Sequence, residues 1–266
     1  MDAIRKEARR LLEAGEVKAV LGYEAGTSGR RRPLLAQDPR DLERLRFDDA
    51  CTLNLAGLLA KPEVRSLFPL AILGGQATLR SLLQLHAERQ LQDGQVLAIT
   101  IEGDAVRLLA TAAELETHLA LQIRVFPQRD REAIARLQDL DAAGRWTWWQ
   151  QELARCVKCY ACRQTCPMCY CGHCTMDCNR PQWVPVASHA LGNLEYHMVR
   201  AMHLAGRCVQ CGSCGEACPV GIPVHLLSMH AEERTAALFG QRAGQGARLD
   251  YALSTFRPDD HESFIR

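Results

Sequence analysis

An α/β domain followed by a mainly α-helical, cysteine-bearing module is the fold class this 266-residue sequence predicts. Three observations carry it. The order strand, helix, strand between Pro69 and Ile101 calls for a layered α/β unit with parallel strands. Twelve of the thirteen cysteines fall between Cys156 and Cys218, leaving only Cys51 to the first half. The stretches Ser188 to Gly206 and Pro223 to Leu238, on either side of the last cysteines, read as helices, the first with apolar residues at helical spacing. The resulting boundaries are 1–130 for the α/β domain, 131–155 for a connecting helix, 156–240 for the cysteine module with an insert at 166–180, and 241–266 for a C-terminal tail.

Along the first domain, Ile4, Ala8, Leu11 and Leu12 have the spacing of a helix over Asp2 to Ala14, and Gly15 ends it as a C-terminal cap. Lys18 to Tyr23 and Arg32 to Ala36 read as strands of a hairpin around the turn at Gly26 to Arg31. Pro69 to Leu73 is a buried strand, Thr78 to Arg89 an amphipathic helix, and Gln95 to Ile101 another buried strand. Gly74-Gly75 before that helix has the look of a phosphate cradle, but it lacks both G-x-G-x-x-G and the P-loop lysine, so it reads as a tight turn. Cys51, in the apolar run CTLNLAGLLA, reads as a small buried hydrophobe. Asp130 to Leu153 is helical, and its Trp146, Trp148 and Trp149 are expected to pack between the two halves.

Composition narrows the partners. The chain is 47% hydrophobic and 24% charged, enough for a substantial core. Thirty-two basic against 31 acidic residues give no global attraction to nucleic acid or an anionic membrane. The longest apolar stretches, Leu67 to Gly74 and Val96 to Ile101, are too short to cross a bilayer, and MDAIRKEARR has no apolar core of a secretion signal. A cytoplasmic protein with protein partners is the expectation, with neither nucleic-acid binding nor direct membrane insertion.

The cysteines form two matching runs of the form C-x2-C-x2-C-x3-C-P: Cys156, Cys159, Cys162, Cys166 with Pro167, and Cys208, Cys211, Cys214, Cys218 with Pro219. Three cysteines at this spacing let one loop supply three corners of a [4Fe-4S] cubane, and in two-cluster ferredoxins the cysteine before proline ligates the other cluster. The expected sets are therefore Cys156, Cys159, Cys162 with Cys218, and Cys208, Cys211, Cys214 with Cys166. Zinc sites more often pair two separated C-x2-C knuckles. The helix expected over Ser188 to Gly206, with Leu191, Leu194, Met198 and Met202 at helical spacing, makes this a mainly helical two-cluster module. Between the runs, Cys169, Cys171, Cys174 and Cys178 form one more four-thiol set, open to a third [4Fe-4S] cluster, a zinc ion, a site in which His173 replaces a cysteine, or unmetallated thiols. His189, His197, His203, His225 and His230 are expected to pack or hydrogen-bond rather than ligate.

At WTWWQQELARCVKCYACRQTCPMCYC and HMVRAMHLAGRCVQCGSCGEACPVGIP the sequence resembles the iron-sulfur beta subunits of formate dehydrogenases and deazaflavin (coenzyme F420)-reducing hydrogenases, most strongly from Trp146 to Pro223. The resemblance implies a dicluster ferredoxin domain behind an α/β domain. It also implies an electron-relaying, non-catalytic subunit of an oxidoreductase complex, with a catalytic dehydrogenase or hydrogenase and a heterodisulfide-reductase-like flavin subunit as partners. Where related proteins carry a Gly-Cys-Asp element and a later cysteine, this chain reads LGGQATLRS and ITIEGDAV, a departure that counts against flavin or deazaflavin chemistry by its first domain. The rival reading is a flavin-containing subunit passing electrons between a nicotinamide or deazaflavin and the clusters.

Overall fold

In the computed structural model, which describes residues 1–103, 105–120, 122–123, 126–176 and 182–248, the chain opens with α1 (Asp2–Glu13). Its Ile4, Ala8 and Leu11 are buried, as their spacing requires, and Gly15 follows at φ 68°. β1 (Val20–Ala25) and β2 (Arg31–Ala36) form the antiparallel hairpin, in register from Val20 opposite Ala36 to Ala25 opposite Arg31. After the short helix α2 (Pro62–Arg65) comes β3 (Leu70–Leu73), then α3 (Gln76–Ala87), β4 (Val96–Glu102) and β5 (Ala105–Leu109). The sheet order is β2-β1-β3-β4-β5. Its three central strands are parallel and its two edges antiparallel, so the expected parallel layer is the middle of a mixed sheet. β5 escapes sequence reading because an edge strand holding Arg107 buries only one residue fully.

Strand alternation decides which helix covers which face. Val20, Ala71, Leu73 and Ile99 turn to α1, where they meet Ile4 and Leu11. Leu21, Ile72, Val96 and Ala98 turn to the other side, where they meet Leu79, Leu82 and Leu83 of α3.

α4 (Ala112–Ala120) packs on α3. The connecting helix expected at 131–155 is two helices, α5 (Gln128–Asp139) and α6 (Ala142–Ala154). Leu140 turns extended between them, and the Asp141 carboxylate caps α6 by accepting from the Gly144 N–H at 2.7 Å. Single-turn α7 (Ala161–Gln164), then α8 (Ala190–His203), single-turn α9 (Ser213–Glu216) and α10 (Val224–Phe239) complete the helical part. Trp148 and Trp149 stack edge to face, and Trp149 packs on the core around Leu153. Trp146 corrects the packing expectation: it is 47% exposed.

The two parts share one core. The α3 face of the sheet continues into Met168 and Leu204, with Cys166, Cys169, Tyr170 and Cys208 packed against it. The Asn54 N–H donates to Ser213 Oγ at 2.8 Å, and Glu88, at the end of α3, pairs with Arg207 at 2.7 Å and accepts from Tyr170 Oη. The expected tail at 241–266 is bound along its first part: Gly244 N–H donates to the Gln84 side chain and Ala243 N–H to Glu232, both at 2.8 Å. Positions 249–266 lie outside the described residues. No helix among the described residues is long and apolar enough to cross a membrane.

Candidate metal centre

The first cysteine run leaves α6 as a loop in which Lys158 and Tyr160 both take left-handed conformations, at φ 51° and 59°. Such values are uncommon without glycine. They curl the chain tightly enough for the Lys158 N–H to donate to Cys156 Sγ at 3.3 Å. α7 then carries Cys162 inward. The second run repeats this position for position: Gln210 and Gly212 are left-handed, and α9 carries Cys214. The two runs thus share a backbone conformation as well as a spacing.

Each run meets the end of the other. One cavity is lined by Cys156, Cys159, Cys162 and Cys218, with Tyr196, Val220 and Ile222 around them. A second is lined by Cys208, Cys211, Cys214 and Cys166, with Met168, Val209, His225 and Met229. The Ile222 N–H donates to Cys218 Sγ at 3.3 Å, and Tyr196 Oη stands 3.7 Å from Cys162 Sγ. Burial pushes the thiols of Cys162, Cys208 and Cys211 up and that of Cys214 to about 12. Thiols raised in this way need a bound cation before they act as thiolates at neutral pH.

A third cavity, about 240 Å³, is lined by Cys169, Cys171 and Cys174 together with Arg163, Arg200, His203 and Arg207. Cys178, the fourth member expected there, lies outside the described residues. His173 is exposed and is not among the residues lining this cavity. The Cys169 thiol is lowered, first by its hydrogen bond with Cys166. Among the described residues, no group of three or more His, Cys, Asp or Glu side chains converges as a site for a single metal ion.

Four expectations are resolved by position. His189 caps α8, accepting from the Gly192 N–H at 3.2 Å, and His225 Nε2 is 3.0 Å from Asp130 Oδ1. Gly74 and Gly75 make a tight turn: a Cβ on Gly74 would collide with the Thr78 side chain, and the Gly74 N–H is taken by the Ile99 carbonyl. Cys51 is half-buried against the α/β core, and burial pushes its thiol up. The apolar positions expected to seat α8 are only partly inward, since Leu191 and Met202 are exposed. The buried face is instead Asn193, Tyr196, His197 and Arg200, which a hydrophobic pattern does not select. Tyr196 and Arg200, one turn apart, both line thiol cavities, and they are the residues sequence reasoning missed.

No family model matches the chain. It is similar to the F420-dependent formate dehydrogenase subunit beta of Methanocaldococcus jannaschii, 34% identical over 77 residues, which are 29% of this chain and 20% of that protein. It is also similar to the F420-dependent formate dehydrogenase 1 subunit beta of Methanococcus maripaludis, 34% identical over 96 residues, 36% of this chain and 24% of that protein. The matches thus span a quarter or less of either relative's length. Over that stretch the chain is similar to formate dehydrogenase beta subunits.

Proposed function

We propose that this chain is the iron-sulfur electron-transfer subunit of a cytoplasmic multi-subunit redox complex. In this reading Cys156, Cys159, Cys162 and Cys218 hold one [4Fe-4S] cluster, and Cys208, Cys211, Cys214 and Cys166 hold the other, in a helical module of the two-cluster ferredoxin type. The carrying observation is the exchange of the fourth thiol between the two cavities. The donor set fits: each cavity offers four thiols in apolar surroundings, and backbone N–H groups already point at Cys156 and Cys218 sulfur. When bound, the clusters supply one-electron oxidation and reduction without making or breaking a substrate bond.

The chain's own residues would hold the sulfur ligands, exclude water and adjust potential. Val220, Ile222, Val209 and Met229 shield the cavities, while the N–H donors of the left-handed loops stabilise negative charge on sulfur. Cys169, Cys171, Cys174 and Cys178 would take a third [4Fe-4S] cluster or a zinc ion. That its relatives are formate dehydrogenase beta subunits supports a place beside a catalytic dehydrogenase, and the resemblance extends this to hydrogenase and flavin subunits.

A second reading, a flavin-containing subunit, is favoured by one observation. An open groove of about 620 Å³ between the two halves shares Gln210 and Met229 with the second thiol cavity, so a flat ring there would lie beside it.

The test is iron, zinc and acid-labile sulfide per chain on anaerobically purified protein, with flavin extraction from the same sample. About eight irons with one zinc means two clusters and a structural ion, and about twelve irons without zinc means three clusters. Protein purified without iron or sulfide would sink the proposal, and extractable flavin would move it to the second reading.

A further inference from the structure

Arg200 projects from α8 to where the three cysteine groups meet. It lines the cavity of Cys166, Cys208, Cys211 and Cys214 and also that of Cys169, Cys171 and Cys174. Its Nη2 donates at 2.9 Å to the carbonyl of Cys162, a member of the remaining set. The residue is 5% exposed, and its Nε has no hydrogen-bond partner. Among the described residues no carboxylate forms an ion pair with it; Glu88 is taken by Arg207, and Asp130 by His225 and Arg129.

A guanidinium stays charged at any pH a protein survives, and burying one without an anion costs several kcal/mol. Among the described residues, the groups left to balance it are the surrounding sulfurs.

We infer that Arg200 is the shared buried counter-charge of the three cysteine groups, a positioning residue that raises the reduction potential of each cluster they hold. This rests on the iron-sulfur reading above. A cluster held by four thiolates is negative and gains one further negative charge on reduction. A fixed cation nearby, in surroundings of low dielectric, therefore favours the reduced form at each site it faces. Arg207, which also borders the third cavity, has its charge balanced by Glu88. Among the described residues Arg200 has no such ion pair, and it borders all three groups.

The experiment compares the full chain with Arg200→Gln and Arg200→Lys, all purified anaerobically. Iron and sulfide are counted first, and a redox titration followed by electron paramagnetic resonance comes second. Arg200→Gln is expected to keep its iron and to show at least a tenfold fall in the reduced-to-oxidised ratio at fixed potential, which for a one-electron couple is about 59 mV. Arg200→Lys, which keeps the charge and loses the fork, is expected to stay near the parent. Unchanged potentials in iron-replete Arg200→Gln overturn the inference, as does an equal shift in Arg200→Lys, which would make shape the cause. Should Arg200→Gln lose iron, retention by Arg200→Lys supports a required charge, and loss from both overturns it. Iron-replete parent protein with any overturning result leaves the electron-transfer reading standing, whereas parent protein without iron ends both.

Discussion

Cys166 and Cys218 each stand in sequence beside one set of thiols and in space beside the other. Cys166→Ser is therefore expected to remove about four irons from the site of Cys208, Cys211 and Cys214 while the first site keeps its own, and Cys218→Ser to do the reverse. Iron counts with spin quantification of each signal check this; loss confined to the mutated run's own site would refute the exchange. Gly57 is a second sensitive position. A Cβ there would run into the Thr165 carbonyl oxygen and lie 2.9 Å from its carbon, backbone atoms immediately before Cys166. Gly57→Ala should cost about 1–3 kcal/mol, read as a lower denaturant midpoint, and should loosen the second site before the first. That each run's last cysteine lies beside the other run was legible, because cysteine spacing ahead of proline is a local pattern. Arg200 and Tyr196 were not legible, because a polar residue on a helix normally marks the solvent face, and here the cavities reverse that rule.

The elements carry a different lesson. α1, the β1–β2 hairpin and the β3-α3-β4 unit were all readable, since each declares itself through local periodicity or turn residues. The break before α6 was hidden because Leu140-Asp141 interrupts a stretch of good helix formers, and only the Asp141 cap reveals it. α3 does more than cover the sheet. Its Glu88 joins it to the helical part through Arg207 at 2.7 Å and Tyr170 at 2.5 Å. Burial works to raise the Glu88 carboxyl, and the bonds from Arg207, Tyr170 and Gln84 overcome it, so the carboxyl sits below its ordinary range. With the folded value depressed, the stabilisation is complete above the unfolded value and is lost as pH falls through the folded one. Glu88→Gln should cost about 2 kcal/mol at neutral pH, the scale of hydrogen bonds to a charged group. In urea unfolding the gap from the parent should hold from pH 8 to about 5 and narrow below about 4.3. A gap that widens on acidification would contradict the assignment of charge.

At the scale of the whole molecule, the boundary in composition at Cys156 is not a boundary in packing. Core residues of the sheet touch Met168 and Leu204, and the bonds Asn54 to Ser213, Glu88 to Arg207 and Gln84 to Gly244 span large separations in sequence. None of these has a local signature, which is why a reading based on composition divides the chain more sharply than the fold does. The shared core has a thermodynamic consequence. Groups that bind the folded chain and not the unfolded one add their binding free energy to folding, and the energy of the proposed clusters would reach the sheet, because Cys166 and Cys208 pack against its core. Removing the metal by air oxidation or a chelator is expected to bleach the visible absorption and to lower the melting temperature of the sheet together with the helices, in one shared transition. Far-ultraviolet circular dichroism and tryptophan fluorescence test this together, since all four tryptophans, Trp146, Trp148, Trp149 and Trp183, lie in the second half while the five strands lie in the first. Coincident curves that move down together on metal loss are the signature of one cooperative unit. If the tryptophan curve drops while the sheet melts as before, the shared core does not couple the two halves.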